Sequence, residues 1–150
     1  MKADAIRLLE FLRRSTQFII PIYQRTYSWT EVECRQLWDD IIRVGKSSGT
    51  QMHFIGSIVY IEAGQSQIAN PTGHLVIDGQ QRLTSIMLIL EALARELGDE
   101  REPFADFSSR KVRNRYLIDP EENGDRRFKL LLTQGDRPAL LSIIEVVRSI

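Results

Sequence analysis

Leu75-Val76-Ile77-Asp78-Gly79-Gln80-Gln81-Arg82-Leu83-Thr84-Ser85 begins as an apolar run, breaks at a polar turn, and resumes with a different period. Leu75-Val76-Ile77 reads as a buried strand. Gly79 permits a sharp turn because it lacks a Cβ. From Leu83 the apolar positions Leu83, Ile86, Met87, Leu90, Leu93, Ala94 and Leu97 follow helical spacing and stop at Gly98. Leu88 and Ile89 widen that stripe, which makes the helix central. A buried strand feeding a central helix through a tight turn is the unit of an α/β (α+β) domain, a small mixed sheet flanked by helices.

Working back from the turn, Phe54 to Ile61 is nearly all apolar and β-branched, which predicts a strand covered on both faces, with Gly56 marking a close backbone approach. Ala63 to Gly73 is a polar loop. Thr30 and Glu33 form a capping box, and Cys34, Leu37, Trp38 and Ile41 give a helix to about Gly45. Pro21 to Trp29 has neither period and carries two tyrosines, a tryptophan and Arg25, so packing must hold it. Before it come a short strand, Phe18 to Ile20, and a helix capped by Asp4 with the stripe Ala5, Leu8, Leu9 and Leu12.

Beyond Gly98, Asp99 to Pro103 reads as a charged linker, Phe104 to Ile118 as a helix, Phe128 to Leu132 as a strand, and Asp136 onward as a helix. That helix is still apolar at Val147 and Ile150, so we expect residues 1–150 to be one domain at the amino-terminal end of a longer protein.

Twenty Lys+Arg balance twenty Asp+Glu, so no global field draws the chain to DNA or to an anionic membrane, and any nucleic-acid contact must be local. The longest apolar run, Ile86 to Leu90, is too short to span a bilayer. The single Cys34 excludes an internal disulfide and fits a reducing cytoplasm, which is the expected location.

The turn itself is where chemistry is expected. Unpaired N–H groups at the start of a helix attract anions, and Arg82 adds a full charge on a forked donor. Asp78 would repel a phosphate unless a metal ion or a water intervenes, which suggests Mg²⁺ or an activated water. Read alone, Asp78 is an N-cap and Gln80, Gln81 and Arg82 are solvated first-turn residues. No Gly-Lys-Ser/Thr phosphate loop and no Gly-rich dinucleotide pattern occurs.

Ile20-Pro21-Ile22-Tyr23-Gln24-Arg25-Thr26-Tyr27-Ser28-Trp29 and Val76-Ile77-Asp78-Gly79-Gln80-Gln81-Arg82-Leu83-Thr84-Ser85, with Phe54 to Glu62 between them, together resemble the amino-terminal domain of the GmrSD-type, modification-dependent restriction proteins. The resemblance runs well over Phe18 to Leu97 and only in outline after Gly98. Ser85 stands where many relatives carry a second threonine.

It implies a ParB/sulfiredoxin-like fold and the binding and hydrolysis of a nucleoside triphosphate, coupled in longer relatives to recognition and cleavage of modified DNA. The site residues it implies are Gln24, Arg25, Gly56, Ser57, Gly79, Gln81, Arg82 and Thr84 for the nucleotide. Asp78, Gln80, Gln81 and Arg82 would serve turnover, with Asp78 toward Mg²⁺ directly or through water. His53 and His74 lack the neighbours of a His-Asn-His nuclease, so cleavage would belong to sequence beyond Ile150 or to another subunit. A DNA partner would then be reached through the longer protein.

The remaining candidates read as structure. Cys34 is a small buried hydrophobe, Trp29 packs, His53 and His74 are surface or loop histidines, and Arg110, Lys111, Arg113 and Arg115 form a solvated helix face. The rival function is a module that uses the same pocket for a DNA phosphate or a modified base and turns nothing over.

Overall fold

A computed structural model describes residues 3–15, 17–49, 52–62, 73–99, 101–105 and 107–145. The loop predicted from Ala63 lies outside them up to residue 72, as do Val147 and Ile150. Chain order is α1 (Leu8–Arg14), β1 (Phe18–Ile19), α2 (Glu31–Lys46), β2 (Val59–Glu62), β3 (His74–Asp78), α3 (Gln80–Leu97), α4 (Ser109–Val112), β4 (Leu130–Leu131) and α5 (Arg137–Glu145). A wide helical turn, Arg113–Leu117, continues α4, and a tight one, Gly124–Arg127, precedes β4.

The strands form one mixed sheet in the order β2-β3-β1-β4. β1 runs parallel to β3, pairing Phe18 with His74, and parallel to β4, pairing Phe18 with Leu130. β2 is antiparallel to β3 on the outer edge. Three strands therefore point their carboxyl ends the same way, and the segments that leave those ends share one edge of the sheet. This is the expected mixed α/β architecture.

α3 carries the core. Leu83, Ile86, Met87, Leu90 and Ala94 are buried against Leu12, Phe18, Val76, Val112, Leu117 and Phe128. The charged Glu91 joins them: it is 2 % exposed and bonds Arg95 at 2.9 Å and Arg113. Arg113 also donates to Ile144 O, so this ion cluster ties α3 to the turn after α4 and to α5. Arg113 accordingly leaves the solvated face on which it was expected beside Arg110 and Lys111. A charge on a wide helical turn is aimed by the turn, not by regular spacing.

Other expectations are also corrected. Phe54 to Ile61 is not a strand covered on both faces: only Val59–Glu62 is extended in the sheet, every residue of it is exposed, and Phe54 is 80 % exposed. An apolar run does not reveal that its strand will lie at an edge. β3 is buried fully only at Val76. Asp4 is not the cap of α1, which starts at Leu8, where its contact with the core begins, behind Arg7.

Phe104 is exposed, and the helix predicted from it starts behind Ser108, whose side chain accepts from Lys111 N at 3.2 Å. The Thr30–Glu33 capping box is present, but of the stripe behind it only Leu37 is buried, while Trp38 and Ile41 face outward. Cys34 is half-buried, with Sγ 3.3 Å from the Tyr27 hydroxyl. His74 is neither surface nor loop, for it sits in β3, edge-on to Tyr60 with ring centroids 4.6 Å apart.

Candidate functional site

The turn after β3 is built as its sequence requires. Gly79 has φ 92°, and a Cβ there would stand 2.9 Å from Ser57 O, so backbone conformation and space both demand glycine. As the residue before α3 it supplies no side-chain cap. Asp78 is exposed and turns back to accept from Gly79 N at 2.9 Å. The first-turn N–H groups of Gln80, Gln81 and Arg82 thus have no intrahelical acceptor, at the positive end of an 18-residue helix.

Three of the expected residues, Gly56, Ser57 and Arg82, meet on one side of this turn. Arg82 Nη1 donates to Ser57 O at 3.3 Å. Its guanidinium lies so close to Gly56, which has φ 110°, that a Cβ there would fall 2.4 Å from Arg82 Cζ. This is the close approach that a glycine inside an apolar run predicted. Among the described residues no carboxylate pairs with Arg82 or with Arg25.

On the other side, glutamines bind the irregular segment to the helix. Gln80 Nε2 donates to Gln24 Oε1 at 3.2 Å, and Gln24 Nε2 donates to Ile77 O at 2.9 Å. Gln81, 6 % exposed, accepts from Ser28 N at 2.8 Å and donates to Thr26 O at 3.0 Å, acting as a short stretch of paired strand. Thr84 donates back to Gln80 O at 2.7 Å. Arg25 lines a small cavity beside Gln80, Gln81 and Thr84. In this arrangement the amide of Gln81 and the hydroxyl of Thr84 are engaged with backbone, as are Arg82 with Ser57 O and Asp78 with Gly79 N, while no oppositely charged side chain among the described residues pairs with Arg25 or Arg82.

Two further residues contribute: Tyr27, whose role the sequence leaves open, and Asp136, which it does not mark. Tyr27 Oη bonds Ser85 Oγ at 2.8 Å, and burial, first, then the contact with Cys34 push its pKa above the ordinary 10.0. Asp136 Oδ2 accepts from Tyr27 N at 2.6 Å across the sheet edge. No local signal marks Asp136, because its partner lies 109 residues away. Trp29 packs against the core as expected. A second, open groove of about 520 Å³ runs past Arg101, Arg110, Lys111 and Arg115, but Asp99 and Glu102 line it too, and Lys111 bonds Glu102 at 2.6 Å.

These features define a mixed α/β domain with a polar, cation-bearing site at the carboxyl ends of its parallel strands, one place where ligands gather in such sheets. The chain belongs to the family described as GmrSD restriction endonuclease, N-terminal domain, whose model matches residues 8–148. The match extends well past Gly98, where the resemblance had been read only in outline. A comparison with curated proteins gives no match. Among the described residues no helix is long and apolar enough to cross a membrane.

Proposed function

We propose that the turn from Asp78 to Arg82 binds a nucleoside triphosphate, and that this domain couples nucleotide binding and hydrolysis to the work of a modification-dependent, anti-phage DNA restriction protein. The supporting observation is the placement of Arg82: a guanidinium with no carboxylate partner among the described residues, seated on Gly56 beside an uncapped helix start. An open cation and free helix donors together suit a polyanion. Arg25 adds a second charge across the turn, and the first-turn N–H groups add donors. The ParB/sulfiredoxin-like assignment and the cytoplasmic location belong to the same reading.

Among the described residues no three His, Cys, Asp or Glu side chains gather into a metal cage. Mg²⁺ does not require one, since it is commonly held by one or two carboxylates, water and the phosphates it accompanies. The exposed Asp78 fits that mode, directly or through water. An ion there would offset the repulsion between Asp78 and phosphate and neutralise charge on the leaving group.

A second reading, a module that holds a DNA phosphate or a modified base without turnover, is favoured by the engagement of Gln81, whose amide already bonds Ser28 N and Thr26 O. Thermal melting with and without each common nucleoside triphosphate and Mg²⁺ tests binding. Saturation at about one hundred times Kd adds roughly 2.7 kcal/mol of stability. No shift at millimolar concentration for any of them refutes the nucleotide site, and binding without phosphate release favours the second reading.

A further inference from the structure

Behind the turn lies a cavity of about 10 Å³ whose walls come from the segments following all three parallel strands: Ile20 and Arg25 after β1, Gln80 and Thr84 after β3, Thr133 and Asp136 after β4. That volume suits one water molecule, which needs on the order of 10–15 Å³ and two to four polar partners. Thr133 supplies the unusual feature. The residue is 6 % exposed, and its Oγ1 is buried with no hydrogen-bond partner among the described residues. The other threonine of the cavity, Thr84, is satisfied within its own helix. A buried hydroxyl left unpaired is costly, and this one belongs to a residue that lines a water-sized space.

The lining also selects what that occupant is. Asp136 keeps one carboxylate oxygen on Tyr27 N and contributes negative charge to the cavity wall, which repels a phosphate oxygen and welcomes a donor. Arg25 calls for an acceptor, and the Gln80 amide can both donate and accept. Water both donates and accepts, whereas a phosphate oxygen only accepts.

We propose that this cavity seats the water that attacks the terminal phosphate of a nucleotide bound at the start of α3, with Thr133 holding the water and Asp136 receiving its proton. The inference rests on the nucleotide reading above. The water oxygen bonds to the terminal phosphorus, and the bond from that phosphorus to the bridging oxygen breaks. Its electron pair leaves on the nucleoside diphosphate, while the water proton passes to the Asp136 carboxylate and on to solvent. The products are nucleoside diphosphate and inorganic phosphate.

The test uses the full chain and two substitutions, Thr133→Val and Asp136→Asn, with calorimetric Kd for each common nucleoside triphosphate with Mg²⁺, phosphate release, and thermal melting. Valine keeps the shape and removes the hydroxyl, so Thr133→Val should melt at or above the parent temperature. Its Kd should stay within about twofold, and its kcat should fall about tenfold or more. Asp136→Asn keeps an acceptor for Tyr27 N and should lower kcat about a hundredfold at similar Kd. If asparagine unfolds the chain, Thr133→Val alone decides. Parent-like kcat in Thr133→Val overturns the water seat, as does a loss of affinity equal to the loss of turnover, which would put a phosphate oxygen there. A parent that binds triphosphate without hydrolysing it also overturns the seat but leaves the binding site standing, whereas a parent that binds none refutes the nucleotide reading itself.

Discussion

Arg82 and Gly56 form one unit: the arginine's guanidinium occupies the space a Cβ on the glycine would need, 2.4 Å from Cζ, and both residues flank the start of α3. Gly56→Ala should therefore displace Arg82 without touching its charge. The left-handed φ of 110° adds local strain in a segment outside the regular elements. We expect triphosphate affinity to fall in Gly56→Ala as it does in Arg82→Ala, where losing charge-assisted bonds costs roughly 1.5 to 3 kcal/mol. Arg82→Lys should restore only part of it, since the fork is lost. Calorimetry on the three variants checks this, and parent affinity in Arg82→Ala would remove the phosphate-gripping role.

Gln81 and Asp78 should separate stability from function. Gln81 is buried and bonds Thr26 O and Ser28 N, so Gln81→Leu should strip both partners and destabilise the fold by about 1 to 3 kcal/mol in denaturant unfolding. Asp78 is exposed, and among the described residues its side chain bonds only Gly79 N. Asp78→Asn keeps that acceptor, so unfolding should be nearly unchanged while triphosphate hydrolysis is lost. Equal stability of both variants would show that the irregular segment is held by other contacts.

Glu91 is a costly position outside the site. Glu91→Ala would leave Arg113, whose side chain is 13 % exposed, without its carboxylate, and breaking a buried pair from one side costs about 3 to 5 kcal/mol. Replacing both, Glu91→Leu with Arg113→Met, should recover much of that loss. A double-mutant cycle by chemical denaturation measures it. Strict additivity of the two single changes would show that the pair is uncoupled.

His74 makes stability depend on pH in a stated direction. Burial lowers its pKa below the ordinary 6.5, against a smaller upward pull from Glu62. The folded chain therefore binds this proton less readily than the unfolded one. Stability should fall as pH drops through the ordinary histidine range toward the depressed folded value, and it should be fully present above that range. His74→Gln should flatten this part of the curve when melting temperature is followed with pH. An unchanged slope would place the dependence on another group.

The residues that govern events within one or two turns of themselves were decisive in the sequence. The turn at Gly79 between a strand and a helical stripe, the Thr30–Glu33 box and the stop at Gly98 each specify a local hydrogen-bonding pattern, and each appears as read. The Gly56 approach was visible too, because only glycine tolerates a side chain pressed on its backbone. Tertiary structure decided the rest. It placed Val59–Glu62 on an edge, turned Trp38 and Ile41 outward and drew Glu91 into the core. It also brought Thr133 and Asp136 beside the first turn of α3. The physical reason is the same in each case. Periodicity shows which residues share a face, but what covers that face, and which polar groups find partners across it, depend on strand pairings between segments far apart in the chain, as when β4 docks parallel to β1.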